Sequence, residues 1–260
     1  MASTVAAPST EARPSALPPL TFASVLLRGV LAGAVAGGAA ALVAWLLVER
    51  PIRAALAIEE ARSSVPQASG HSHEELFSRP VQVVGGMLAA LVVAIAVAAV
   101  FAVVFAKVRH RLPAATDFGR AALLAATGFV TVALLPALKY PANPPGVGDP
   151  ETVTSRTLLY ISFIGAAMVV AYLAYAARTR LAARGWSGAH RSAVVAAGSV
   201  VAFALLFVVW PASSDPIPED IGAGLLWEFR LYSLLELATL WTVLGLTFGL
   251  LLTPRAADRA

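Results

Sequence analysis

Long apolar blocks separated by polar stretches set the pattern of this chain. Each block is near or above the roughly 18–20 residues that a helix needs to cross a bilayer. Polar residues do not recur inside the blocks at the spacing of a soluble amphipathic helix. The pattern therefore predicts an all-α fold, a polytopic integral membrane helix bundle of about six transmembrane helices. We place the spans at about 22–48, 81–106, 121–138, 157–177, 192–210 and 231–252.

The composition agrees with a membrane protein. Of the 260 residues, 58% are hydrophobic and 13% are charged, and the mean hydropathy is +0.77. A soluble domain carries about 25% charged residues, so this chain has too little polar surface for a soluble globule. The absence of cysteine excludes disulfide frameworks and cysteine-ligated metal centres. The net charge of +4 comes from residues scattered between apolar blocks, which predicts lipid contact and no nucleic-acid partner.

The distribution of Lys and Arg predicts the orientation. Most of the 19 basic residues fall on the side that holds the N-terminus, and such loops are normally cytoplasmic. We expect residues 1–20, rich in Ala, Ser, Thr and Pro, to form a disordered cytoplasmic tail. Residues 21–253 would be the six-span membrane domain, and 254–260 a short cytoplasmic tail. Both termini are then cytoplasmic.

This orientation puts the longer and chemically richer loops outside, at 49–80, 139–156 and 211–230. The first of them contains a His-x-His pair followed by carboxylates, at His71, His73 and Glu74. Imidazole and carboxylate ligands suit divalent Co, Ni, Zn or Cu. These residues are candidate metal ligands for capture and release. The alternative is a solvated polar loop whose histidines bind nothing.

The second outer loop is rich in proline and glycine, which restrict the backbone and permit tight turns. Such a stiff loop could hold Asn143, Asp149 and Glu151 in set positions. Pro136, inside the third span, should kink or unwind that helix. Alternatively, Lys139 and Tyr140 are interface anchors, and Asp149 or Thr152 caps the fourth helix.

Two features lie inside the spans. Glu236, in the last span, is costly there unless it is paired or faces a wet cavity, which makes it an intramembrane functional candidate. It could also lie shallow enough to be hydrated. Gly29, Gly33 and Gly37 repeat at the spacing that allows close helix contact, so we interpret them as packing residues.

No sequence signature of an enzyme is present. The chain has no P-loop, no HExxH and no GxSxG motif. We therefore predict a protein that is not an enzyme and that has no permanently bound cofactor.

The segment LKYPANPPGVGDPET, residues 138–152, closely resembles the hallmark loop of the CbtA family of probable cobalt transporter subunits. Other segments resemble the same family in the same order, and the resemblance covers roughly residues 22–252. They are VERPI at 48–52, IEEA at 58–61, Ser78-Arg79 with Gln82, RTLLY at 156–160, and LWEFRL at 226–231 with Ser233 and Trp241.

The resemblance implies a membrane subunit that takes up Co²⁺, its substrate, for cobalamin synthesis. In such a subunit Asn143, Asp149 and Glu151 would lie at the pore mouth, with Asp149 and Glu151 as metal ligands. The pore-mouth motif would comprise Lys139, Tyr140, Pro141, Asn143 and Pro144. The resemblance also implies a partner, the small single-span CbtB protein with a histidine-containing end, and a location in the bacterial cytoplasmic membrane. A homo-oligomer is possible as well. The competing hypothesis is a scaffold or assembly subunit that transports nothing and binds a partner through its small-residue helix faces.

Overall fold

The computed structural model describes residues 21–63, 78–212 and 217–253. Within these ranges all regular secondary structure is helical, and six helical segments are long and apolar enough to cross a membrane. This confirms the predicted all-α bundle of about six membrane helices. The six segments are Phe22–Arg62, Arg79–Arg111, Asp117–Lys139, Pro150–Ala183, Gly188–Val209 and Ala223–Leu252.

Several of these segments contain more than one helix. The first contains α1 (Phe22–Val43) and α2 (Glu49–Ser63), and the third contains α4 (Asp117–Gly128) and α5 (Leu135–Lys139). In each, a π-helical stretch joins the two α-helices, at Ala44–Val48 and Phe129–Leu134. The α-helices are α1 Phe22–Val43, α2 Glu49–Ser63, α3 Arg79–Val108, α4 Asp117–Gly128, α5 Leu135–Lys139, α6 Val153–Ala183, α7 Gly188–Val209 and α8 Ala223–Leu252. Short 3₁₀ turns lie at Arg109–Arg111 and Pro150–Thr152.

Both π-helical stretches precede a proline that has no N–H to donate. The N–H of Leu135 bonds to the carbonyl of Val130, one residue beyond α-helical spacing, directly before Pro136. The N–H of Glu49 bonds likewise to Ala44, two residues before Pro51. The change of hydrogen-bond spacing accommodates the proline ring without ending the helix. The helix irregularity expected at Pro136 is therefore present, as a π-helix.

Helix α1 packs very closely against α3 through its glycines. A Cβ placed on Gly33 would lie 2.6 Å from the Cβ of Ala98, and one on Gly29 would lie 2.5 Å from that of Ala102. Gly37 meets Ala94 in the same way. The two helices are therefore antiparallel and nearly in backbone contact. Van der Waals packing of this kind drives helix association in lipid, where helices gain little from the hydrophobic effect.

Helix α8 joins this pair to α4. Gly245 faces Ala125, and Gly128 leaves room for the ring of Trp241. Phe101 and Phe105 of α3 each pack edge-on against Phe248, with ring centroids 5.3 and 5.1 Å apart. These four helices, α1, α3, α4 and α8, hold the main hydrophobic core.

Helices α6 and α7 form a hairpin beside this core. They pack mainly on each other, and α6 also contacts the Phe129–Leu134 stretch. Every residue of α7, a helix the structure describes throughout, keeps some exposure, and Val208 is 82% exposed. Exposed valines and leucines suit a surface that faces lipid tails.

Candidate functional site

Three segments distant in sequence meet at one end of the bundle, which we call the long-loop end. They are α2, the loop 140–149 between α5 and α6 (the Pro loop), and residues 217–222 before α8. Arg62 at the end of α2 joins all three. Its Nε donates to Asp220 Oδ2 at 2.5 Å, a second N–H donates to Asp220 Oδ1, and Nη1 donates to the carbonyl of Gly146 at 3.1 Å.

A small apolar cluster lies with this arginine. Val147, Ile221 and Leu226 are buried together, and Ile58 of α2 packs against them. The Arg62 guanidinium, by its hydrogen bonds, holds the pKa of Asp220 below its usual range. The long-loop end is thus a folded cap, held by a charge-assisted bidentate pair over an apolar cluster.

Glycine is required at two places in the Pro loop. Gly146 has φ +73° and Gly148 has φ +104°, a region that residues with a Cβ rarely adopt. A Cβ on Gly148 would also lie 2.5 Å from Nη1 of Arg156, whose Nη2 donates to the Asp149 carbonyl at 3.2 Å. Pro144 is fully buried. The conformation of the loop therefore requires glycine at both positions, and the buried Pro144 and the bond from Arg156 anchor it.

A cavity of about 960 Å³ lies between the Pro loop, the first turns of α6 and the first half of α8. Its polar lining includes three cationic side chains, Lys139, Arg156 and Arg230, and its other polar residues are neutral. Those are Tyr140, Asn143, Thr157, Tyr160 and Ser233. Arg230 fixes the loop to α8, since Nε donates to the Ala142 carbonyl at 3.2 Å and Nη2 donates to Asn143 Oδ1 at 3.0 Å.

The other side of the cavity is fixed to α7. Lys139 Nζ donates to the carbonyl of Phe207 at 2.8 Å, near the helix C-terminus, where a cation is favoured. The Tyr140 hydroxyl donates to the Pro211 carbonyl at 2.5 Å, and its ring packs edge-on against Phe163. Burial raises the pKa of the Tyr140 phenol. Tyr140 therefore stays a neutral donor at physiological pH.

Comparison with protein families identifies the chain. The model of the family described as "Probable cobalt transporter subunit (CbtA)" matches residues 22–253, which includes every helix described above. The chain belongs to the CbtA family. This assigns it to a family of membrane transporter subunits and confirms the resemblance carried by the Pro loop. Comparison with curated proteins and with solved structures gave no match.

In this CbtA-family chain the pore-mouth motif divides into two roles. Lys139, Tyr140, Pro141 and Asn143 line the cavity, whereas Pro144 is buried in the cap.

Asp149 and Glu151 are exposed and are absent from the described cavity lining. Asp149 instead caps the 3₁₀ turn, since its Oδ1 accepts from the N–H of Glu151 at 2.9 Å. This is the capping role that the sequence left open as the alternative.

The other candidate metal ligands, His71, His73 and Glu74, fall outside the described residues. Among the residues that the structure describes, no group of three His, Asp or Glu side chains lies close enough to hold a metal ion. The predicted ligand set therefore stays a prediction.

Glu236 lies half-buried in α8. It does not line the cavity, and within the described ranges no hydrogen bond or ion pair joins it to another residue. Its neighbours Leu234 and Leu237 line the cavity, so Glu236 lies beside the cavity but outside its lining.

Sequence reasoning missed two anchoring groups. Glu49 is buried and accepts from Arg79 at 2.7 and 3.1 Å and from Arg53 at 2.9 Å, which ties the start of α2 to the start of α3. Arg230, which the sequence offers only as part of the segment LWEFRL, is the second group, and it fixes the Pro loop to α8. In the sequence, Glu49 and Arg230 are visible only as charges next to the ends of predicted spans. A charge in that position does not show which distant residue it contacts.

Proposed function

We propose that this chain is the multi-pass subunit of a bacterial Co²⁺ uptake system that supplies cobalamin synthesis. The observation that carries the proposal is the family match, which spans residues 22–253. In this proposal Co²⁺ is the substrate, and a small single-span CbtB-like protein is the partner. The chain lies in the cytoplasmic membrane with the long-loop end outside and both termini in the cytoplasm.

The basic residues at the opposite end support this orientation. Lys107, Arg109 and Arg111 end the second segment, and Arg120 begins the third. Two of these arginines share one acid, since Arg109 and Arg120 each lie 2.8 Å from Asp117. The net charge of this end is therefore positive, as the cytoplasmic side of a membrane protein normally is.

We place initial metal capture outside the cavity. A free dication is disfavoured in the cavity, because the positive charges of Lys139, Arg156 and Arg230 repel it. The exposed carboxylates of Asp149 and Glu151 and the side chains of His71, His73 and Glu74 offer the oxygen and nitrogen ligands that Co²⁺ accepts. Selectivity for cobalt over nickel or zinc would then require geometry or the partner subunit.

The experiment is ⁵⁷Co²⁺ uptake by cells that express the chain with its partner, with excess Ni²⁺ or Zn²⁺ as competitor. We expect saturable uptake that unlabelled Co²⁺ inhibits most strongly. The variant His71→Ala/His73→Ala should show reduced uptake at low Co²⁺, and His110→Ala, an exposed histidine at the basic end, should behave as wild type. Normal uptake in the double variant and in Asp149→Asn and Glu151→Gln would reject the capture residues but not the transport function.

The scaffold alternative uses small-residue helix faces and the Pro loop to bind a partner. Gly29, Gly33 and Gly37 are in contact with α3 of the same chain. A scaffold would therefore have to bind through other faces, such as those of Gly165 and Gly198, or through the Pro loop.

A further inference from the structure

The cavity at the long-loop end has an electrostatic character opposite to that of a cation site. Among the described lining residues, three are cationic and none is Asp or Glu. Lys139 and Arg230 donate to carbonyl and amide oxygens only, namely those of Phe207, Ala142 and Asn143. In the part of the chain that the structure describes, neither has a carboxylate partner. Partly buried cations with neutral acceptors create a positive potential that attracts an anion.

Hydrogen-bond donors surround these charges. The amide of Asn143 and the hydroxyls of Tyr160 and Ser233 line the same cavity. Thr157 lines it too, but its hydroxyl already donates to the Val153 carbonyl at 2.8 Å. Arginine and lysine with hydroxyl donors are the groups that bind phosphate in proteins, since each N–H or O–H can bond to a phosphate oxygen.

The rest of the cavity wall is apolar. Ala137 and Leu138 of α5 face Leu231, Leu234 and Leu237 of α8 across it, and Trp227 lies at the same end as the cations. Tryptophan and tyrosine are typical of the headgroup level of a membrane. A volume of about 960 Å³ also exceeds what a small inorganic ion needs. The cavity thus combines a cationic part at headgroup level with an apolar part towards the bilayer core.

We propose that this cavity binds a phosphate group, and that an anionic phospholipid supplies it. The phosphate contacts Lys139, Arg156 and Arg230, and the acyl chains lie along the leucines of α8. The bound lipid then bridges α6 and α8, which flank the cavity. Inorganic phosphate is the other source of the same chemistry, and the experiment distinguishes the two.

The test uses the full-length protein and lipid binding measured by native mass spectrometry. Phosphatidylglycerol and zwitterionic phosphatidylcholine are supplied in equal amounts. Both lipids carry the phosphate, but the quaternary ammonium of phosphatidylcholine adds a positive charge beside the three cations. We therefore expect phosphatidylglycerol to be retained roughly tenfold better. Arg230→Gln and Lys139→Gln should each lose most of this preference. Arg230→Lys, which keeps the charge, should retain it if the loop stays folded, and Arg50→Gln, an exposed cation that is not a described lining residue, should match wild type.

A second arm titrates the protein with inorganic phosphate and follows the fluorescence of Trp227, with Trp227→Phe as the blank. Saturable quenching without any lipid preference would assign the site to free phosphate and overturn the lipid source. No lipid preference and no quenching would overturn the proposal, as would equal loss of preference in Arg50→Gln.

One carboxylate needs its own control. Asp215 lies in residues 213–216, outside the described residues, between Ala212 and Ile217, which both line the cavity. If the variant Asp215→Asn preferred phosphatidylglycerol and wild type did not, Asp215 would neutralise the cations of the cavity in the native protein. The proposal would then be wrong. A preference already present in wild type supports it.

Discussion

At the scale of single residues, arginines at the long-loop end connect segments that are far apart in sequence. Arg62 reaches Asp220 and Gly146, and Arg230 reaches the Pro loop. The glycines of that loop predicted its tight turns, which the positive φ of Gly146 and Gly148 shows. The capping by Asp149 was one of two local alternatives. The arginine contacts could not be predicted, because no local pattern specifies a partner more than eighty residues away.

The close contact between α1 and α3 gives the first prediction. Gly33→Ala should lower the free energy of unfolding by about 1–3 kcal/mol, because the new methyl group must displace Ala98 or the α3 backbone. The measurement is thermal unfolding of the purified protein in detergent. Gly38→Ala is the matched control on the same helix, since its Cβ meets no other described atom within 4 Å. Equal melting temperatures for the two variants would contradict the packing.

The pair between Arg62 and Asp220 predicts a dependence of stability on pH. Since the pKa of Asp220 is lowered by folding, the pair stabilises the fold above the unfolded-state pKa and is lost as pH falls through the folded-state value. Below about pH 4, the melting temperature of wild type should fall more steeply than that of Asp220→Asn. Glu219→Gln alters the neighbouring exposed acid and should follow wild type. Superimposable curves for wild type and Asp220→Asn would exclude this role.

At the scale of helices, the six apolar blocks were predictable, because burial in lipid requires long uninterrupted apolar segments. The ends of the helices were less predictable than the blocks themselves. The first predicted span stops at residue 48, but the helical segment continues to Arg62. Its 41 residues would be about 60 Å long, roughly twice the apolar thickness of a bilayer. The charges after residue 48 predict where the membrane surface lies, but a helix does not have to end there.

Glu49 is the residue that ties the start of α2 to the start of α3. Glu49→Gln should lower the free energy of unfolding by about 1–3 kcal/mol, because a neutral amide leaves Arg79 without its bidentate partner. Thermal unfolding in detergent measures the effect. Glu60→Gln, an exposed acid on the same helix α2, is the control and should change little. A melting temperature for Glu49→Gln within error of that control would show that the ion pair does not stabilise the fold.

At the scale of the whole molecule, four helices form a closely packed core, and the α6–α7 hairpin lies beside it with the cavity at their junction. Composition and hydropathy predicted the membrane bundle but not this division, since every span is similarly apolar. The sequence predicted acidic residues and histidines as the ligands of the site. The charged residues that line the cavity are instead cations from three separate segments, and only the folded structure brings them together.

The central claim is that this chain is the membrane subunit of a Co²⁺ transporter. The most direct measurement is ⁵⁷Co²⁺ entry into proteoliposomes that contain the purified chain, with and without its small partner and with protein-free liposomes as the blank. We expect saturable entry when both proteins are present, with unlabelled Co²⁺ a stronger competitor than Ni²⁺ or Zn²⁺. Entry no faster than the blank, with both proteins folded and across imposed ion gradients or membrane potentials of either sign, would contradict the claim.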